Sequence, residues 1–219
     1  MTASAPVPDE GELRLGTVRL PAGRPLRLED DADEPVAWIT ETAVPEPGPL
    51  WSALTALHGQ TGLVPILAPA GRGDDLEVSC YDPADVAQLD RVDAAAMLEH
   101  LWRDSLPEPW QTGPKWEEER EWAEEMTDPF TTQYPGLAPA MGTALPADVL
   151  EAALREFSAS RIALIPADRP ADVLPVLGWC PGNWNSCFPV PSPVGFAAVM
   201  RSWEERFGAP LAAPVVPEV

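Results

Sequence analysis

ADVLEAALREFSASRIALIP, residues 147–166, joins a helical pattern to a strand-like run, and this stretch decides the fold. Its first half carries apolar residues on one face at the helical period: Val149, Leu150, Ala153, Leu154 and Phe157. Its second half, Arg161–Pro166, is almost wholly apolar, which predicts a strand. A helix followed so closely by a buried strand indicates a helix packed against a sheet.

The same pairing occurs earlier in the chain. A helical pattern over Gly48–Leu57 ends at Gly62, and Leu63–Ala68 (LVPILA) follows as a predicted strand. The two units align at an offset of 97 residues, which places Leu57 over Leu154. A weak internal helix–strand repeat and two ordinary units with similar turns both explain this alignment.

Further short strands are predicted around a turn in Leu13–Leu28 and in Val36–Thr40. The alternation of helices and strands predicts an α/β fold, with mixed α+β as the alternative, built on a central mixed or partly parallel sheet covered by helices. We expect one compact unit with the following parts: a mobile tail at 1–12, an N-terminal half at 13–134, a C-terminal half at 135–209 and a Pro-rich tail at 210–219.

The strongly acidic composition limits which classes of macromolecule the protein is expected to bind. Lys and Arg number 14 against 35 Asp and Glu in 219 residues, a formal net charge of −21. Such a chain is repelled by nucleic acid and by anionic membranes, whereas a basic protein partner is compatible with it. Solubility alone explains the acidity at least as well. With no apolar run of transmembrane length, no signal peptide and three Cys, the sequence predicts a cytoplasmic protein.

The loop Gly178–Cys187 contains a pattern typical of a catalytic nucleophile, Gly-Trp-Cys-Pro-Gly, centred on Cys180. Two observations argue against that chemistry. Pro181 has no N–H to offer an oxyanion, and both histidines, His58 and His100, precede the loop. A type II turn is the better interpretation. The spacing of Cys and His also predicts no metal site, and we expect no cofactor.

Tryptophan and asparagine in this loop suit recognition of a ligand or a protein, and the helix that follows supplies charged residues. The candidate ligand- or partner-binding residues are Trp179, Asn183, Trp184, Asn185, Arg201, Glu204 and Arg206. Arg201 is placed to pair with Glu204 and Glu205, whereas Arg206 is placed to reach the loop and form an anion pocket. The alternative is structural: Trp179 covers the core and the Asn side chains hold the loop.

Four other tryptophans fall on apolar faces, where we expect them to lie in the core: Trp38, Trp51, Trp102 and Trp203.

Three C-terminal segments together resemble an uncharacterised bacterial family, domain of unknown function 4253. They are RIALIPAD at 161–168, VLGW at 176–179 and FAAVMRSWEERFGA at 196–209. The chain departs from the family pattern at Pro181, where glycine is usual, and in Pro210–Val219, where an apolar strand usually follows. The resemblance implies no known activity, substrate or catalytic residue.

No general base, metal cluster or nucleotide loop emerges from these patterns. The sequence therefore favours a non-enzymatic binding or interaction protein, of an accessory or immunity type, that uses its acidic surface. The alternative is a small-molecule-binding protein or enzyme with a pocket formed by Trp179, the Asn side chains and Arg206 at the 178–187 loop.

Overall fold

The computed structural model describes residues 5–27, 34–69, 83–105, 134–141, 147–155, 157, 159–179 and 192–212. Their centre is a five-stranded sheet in the order β1-β2-β3-β5-β4, in which every neighbouring pair is antiparallel. The strands are β1 (Gly11–Leu15), β2 (Val18–Leu26), β3 (Ala37–Thr40), β4 (Leu63–Pro69) and β5 (Ser160–Pro166).

Five α-helices lie in the described residues: α1 (Pro47–Thr61), α2 (Ala94–Ser105), α3 (Ala147–Arg155), α4 (Val173–Val176) and α5 (Pro193–Phe207). Two 3-10 helices, Val86–Arg91 and Pro170–Asp172, accompany them. Asp93 begins α2, since its carboxylate accepts the N–H groups of Ala95 (2.8 Å) and Ala96 (3.2 Å). Gly208 ends α5 in the left-handed conformation at φ 60°.

Helices cover both faces of the sheet, which confirms the predicted α/β class. On one face, α1 and α3 pack over a core that includes Trp38, Trp51 and Leu164. On the other face, α4, α5 and the 3-10 helix 86–91 pack over Ile39 and Ile165. Trp38 and Trp51 are fully buried, as predicted.

The sheet is antiparallel throughout, whereas the sequence favoured a mixed or partly parallel one. The reason lies in the connection β3–α1–β4. Its two strands run in the same direction, as in a βαβ crossover, but they are not neighbours, because β5 lies between them and pairs antiparallel with both. Strands from the predicted N-terminal and C-terminal halves therefore belong to one sheet.

The two helix–strand units noted in the sequence are neighbours in space. Strands β4 and β5 pair with each other, and Leu154 of α3 lies in the same core as Trp51 and Leu54 of α1. Ile66 stands directly opposite Ala163 in the ladder, and these two residues are also equivalent at the offset of 97. The register of the two paired strands thus coincides with the sequence offset, which suits a duplication.

Parts of both predicted tail segments, 1–12 and 210–219, contact the rest of the protein where the structure describes them. In the 1–12 segment, Ala5 and Val7 pack against the core beneath α1, and β1 begins at Gly11. At the C-terminus, the carbonyl of Ala212 accepts the N–H of Leu67 at 2.8 Å on the outer side of β4. Burial of small apolar side chains and a backbone hydrogen bond fix these segments against the sheet.

Candidate functional site

The predicted site residues on α5 are held by a short preceding stretch of the chain. After β5, the 3-10 helix Pro170–Asp172 and α4 bring Asp172 beneath α5. The α5 helix begins where the Ser192 hydroxyl accepts the N–H of Gly195 at 3.2 Å, with Pro193 in the first turn. Two small side chains on its inner face, Ala197 and Ala198, are buried in the core.

Arg201 forms the centre of a charged cluster. Its Nε donates to Oδ1 of Asp172 at 2.7 Å, and its Nη1 donates to Oδ1 of Asp90 at 3.0 Å. Asp172 is only 1% exposed, and its second oxygen, Oδ2, is buried without a hydrogen-bond partner. Burial alone would lower the pKa of Arg201, but its hydrogen bonds and charge interactions with the two aspartates raise that pKa instead. Arg201 therefore stays charged as the counter-ion of a buried carboxylate.

Glu204 lies one turn further along the same side of α5. Its Oε1 accepts the backbone N–H of Ala171 at 2.7 Å, and its Oε2 lies 3.5 Å from Nε of Arg169. Burial is the main cause that raises the pKa of Glu204, and the nearby charge of Asp172 adds to it, whereas Ala171 and Arg169 lower it. Arg169 also contacts Glu205 at 2.9 Å.

We expect Glu204→Gln to remove a pH-dependent loss of stability. Because the folded-state pKa of Glu204 is raised above its ordinary value of 4.5, this group favours folding most below that pH and loses the contribution as pH rises through the folded pKa. The free energy of unfolding of the wild type, measured in urea, should therefore fall relative to that of Glu204→Gln as the pH rises above about 4.5. Glu205→Gln, at an exposed neighbouring position, is the control. An equal pH slope for wild type and Glu204→Gln would contradict the assignment.

These ion pairs differ from those expected within the helix. Arg201 was predicted to pair with Glu204 and Glu205, but it reaches across to Asp172 and Asp90, and Arg169 takes both glutamates. The reason is burial: a carboxylate enclosed in the core needs a cation far more than a solvated one does. In this arrangement the cluster joins α5 to both 3-10 helices, so its ion pairs have a structural role.

Trp179 lies in the core. It is 7% exposed, and its ring meets that of Phe196 at a centroid distance of 6.3 Å and a tilt of 56°. Its backbone N–H donates to the carbonyl of Leu174 at 2.8 Å, which fixes the end of α4. Three other predicted site residues, Asn183, Trp184 and Asn185, lie outside the described residues, so a recognition role for this loop stays a prediction.

Arg206 lies near the end of α5. Its guanidinium carbon is 5.9 Å from the ring centroid of Phe207, and its backbone carbonyl accepts the N–H of Met141 at 2.8 Å. Burial and the charge of Glu99 raise the pKa of Tyr134, whereas the charge of Arg206 lowers it. In the described residues, Arg206 thus belongs to the contact between α5 and the segment 134–141. Its predicted reach to the loop stays a prediction.

Trp203 was expected in the core, and that prediction is wrong: its side chain is 45% exposed. The apolar stripe of α5 continues through Met200, Trp203 and Phe207, but the side of the helix that faces the neighbouring 3-10 helices carries Arg201 and Glu204. The buried ion pairs have taken the inward positions, and Trp203 therefore faces outward. Helix periodicity assigns charged residues to the solvent-exposed side, so it could not have shown that Arg201 and Glu204 face inward while Trp203 faces outward.

The other side chains of the cluster, Asp90, Arg169 and Asp172, were not among the predicted site residues. The one available signal was Asp172, an acidic residue that begins the apolar run DVLPVLGW. In the part of the chain that the structure describes, no three His, Cys, Asp or Glu side chains are grouped to hold a metal ion. No helix found there is long and apolar enough to cross a membrane.

The C-terminal segments that resemble a known family do match it. Residues 161–215 match the model of a domain of unknown function, DUF4253. The match begins at the second residue of β5, extends past α5, and includes both residues of the Asp172–Arg201 contact as well as Ala212. No curated protein matches the chain significantly. No solved structure does so either.

Proposed function

We propose that the DUF4253-matching C-terminal part makes this protein a binding module for another protein, which docks on the outer face of α5 around Trp203. The observation that carries the proposal is the 45% exposure of this side chain. Tryptophan is one of the residue types enriched among those that dominate the binding energy of protein interfaces. Its large apolar surface gains most when a partner covers it.

The surroundings of Trp203 have the composition of an interface. Met200 and Phe207, on the same side of α5, are partly buried and extend the apolar surface along the helix. The charged cluster on the opposite side anchors α5 to the 3-10 helices, which keeps the docking face rigid. A rigid face loses little entropy when a partner binds.

Charge favours a basic partner. The protein has a net charge of −21, and two carboxylates close to α5 are strongly exposed, Asp90 at 78% and Glu205 at 64%. A negative surface of this kind attracts positively charged proteins over long distances and accelerates their encounter. We therefore expect the association rate to fall as salt concentration rises.

The polar residues support binding rather than catalysis. Two of the predicted site residues form ion pairs within the protein: Arg201 with Asp172, and Glu204 with Arg169. Their contacts hold helices together, so neither side chain is poised toward a substrate. The proposal therefore rests on the apolar surface of α5 and on overall charge.

The experiment introduces a photo-crosslinking amino acid in place of the exposed Glu205, two residues from Trp203, identifies the protein captured, and then measures the dissociation constant of that protein with purified components. We expect Trp203→Ala to weaken binding by at least about thirtyfold, the effect typical of a central interface residue, while the melting temperature stays close to that of the wild type. Val149→Ala, which truncates an exposed apolar side chain on α3, should bind normally. The proposal fails if Trp203→Ala binds the captured partner as tightly as the wild type.

A further inference from the structure

The two outer edges of the sheet differ in their backbone chemistry. On β4, the outward-facing positions are Leu63, Pro65, Leu67 and Pro69, because the N–H of Leu67 points away from β5 to Ala212. Both prolines lack an N–H, and the N–H of Leu63 donates to the Thr61 hydroxyl at 3.3 Å. The carbonyl of Pro65 accepts the indole N–H of Trp51 at 2.8 Å. This edge offers no free donor to another strand.

The β1 edge is different. Among the described strands, β1 is the last in the order on its side and pairs only with β2. The two strands join through the turn Gly16–Thr17, with Leu15 opposite Val18. In such a turn the Leu15 carbonyl faces Val18, so we expect the backbone groups of Leu15 and Leu13 to face β2. The ladder shifts register between Glu12 and Leu13, but the extra residue, Pro21, belongs to β2, so β1 keeps its own alternation. Glu12 and Arg14 direct theirs outward, where an added strand would pair.

The side chains of these two outward positions complement each other. Glu12 and Arg14 lie on the same exposed face of β1, two residues apart. If a second β1 pairs antiparallel with Leu13 opposite Leu13, each Glu12 stands opposite an Arg14 in a hydrogen-bonded pair. Registers centred on Glu12 or on Arg14 instead place like charges opposite each other, which is destabilising.

The proposed pairing also reduces an unfavourable charge interaction of Arg14 within its own hairpin. It stands directly opposite Arg19 of β2, a cross-strand pair of like charges. A Glu12 carboxylate on the other side of Arg14 offsets that repulsion. Two identical strands are sufficient for this pairing, because the strand GELRL contains both Glu12 and Arg14.

We propose that two copies of this chain associate through β1, antiparallel and in register about Leu13, so that the sheet continues across a two-fold axis. The inference is independent of the α5 docking face. A single five-residue strand forms a small interface, so the dimer is of the weak, transient class and forms at high protein concentration. Physiological salt, with a Debye length of about 8 Å, screens the repulsion between two acidic protomers but not the contact pairs.

Sedimentation equilibrium of the full chain at about 0.15 M salt tests the proposal. The wild type should shift from monomer toward dimer as its concentration rises. Glu12→Arg and Arg14→Glu each create like-charge pairs on both sides of the axis, and each should weaken self-association about tenfold. An equimolar mixture of the two variants should recover dimer, because each strand then meets opposite charges, and native mass spectrometry should identify that dimer as mixed.

Glu151→Arg and Arg155→Glu change the net charge by the same amounts on the exposed face of α3 and serve as matched controls. They should dimerise as the wild type does. Circular dichroism confirms that every variant is folded. A wild type that stays monomeric throughout, variants that dimerise unchanged, or a mixture that fails to recover dimer would each overturn the proposal.

Discussion

Arg201→Met should lower the free energy of unfolding by about 3–5 kcal/mol, the cost typical of removing one partner from a buried ion pair. Asp172 is 1% exposed, its Oδ1 depends on the Arg201 Nε at 2.7 Å, and its Oδ2 has no partner. Methionine keeps much of the aliphatic stem but supplies neither charge nor hydrogen bond, so the buried carboxylate is left uncompensated. Urea unfolding measures the loss, which corresponds to a decrease in melting temperature of about 6–20 °C.

Two further variants identify the cause. Arg155→Met removes an arginine from an exposed i,i+4 pair and should change stability by no more than about 0.5 kcal/mol. Arg201→Met combined with Asp172→Leu removes both charges, and this double variant should recover most of the lost stability, because a buried ion pair is often replaceable by apolar residues. If Arg201→Met is as harmless as Arg155→Met, Asp172 does not depend on Arg201.

Trp179→Ala should cost about 3–5 kcal/mol, as expected for truncation of a large aromatic side chain in a packed core. The indole fills the space between α4 and Phe196 and is 7% exposed. Alanine leaves a cavity there that the backbone closes only in part, since the Trp179 N–H remains bound to the Leu174 carbonyl. Urea unfolding of Trp179→Ala and of Trp179→Phe should show a large loss and a smaller one, respectively.

Trp203→Ala is the matched control for this experiment. It removes the same side chain from an exposed position of α5 and should leave stability nearly unchanged. The comparison separates the two tryptophans by role: Trp179 supports the fold, and Trp203 is available to a partner. Equal losses of stability in the two alanine variants would contradict this division.

The strongest sequence patterns were enough to predict the elements near the core. The helical period of Val149–Phe157 and the apolar runs at β4 and β5 predicted helices packed on a sheet. The insertion of β5 between β3 and β4 was not predictable, because it depends on which strand edges meet in three dimensions. Helix and strand periods carry no information about that order.

The site was less predictable for a related reason. Periodicity places charged residues on the solvent side, so it assigned Trp203 to the core and paired Arg201 within its own helix. In the folded protein Trp203 is exposed and Arg201 pairs outside its own helix. The reason is that Asp172, at the end of the 3-10 helix Pro170–Asp172, is buried against α5 and binds Arg201. The contact between residues 172 and 201, which are far apart in the sequence, determines which side of α5 faces solvent, and helix periodicity does not contain that information.

The position of β5 has a consequence for synthesis of the chain. The strands β3 and β4 leave the ribosome long before β5, yet neither can pair with the other, since β5 occupies the place between them. The nascent N-terminal half therefore presents two apolar strands with unsatisfied inner edges until β5 arrives. Pairings this distant along the chain are slow to form, and exposed strand edges promote aggregation. Folding of this protein is thus expected to complete only after translation of the DUF4253-matching segment, and a chain arrested before residue 160 should depend on chaperones.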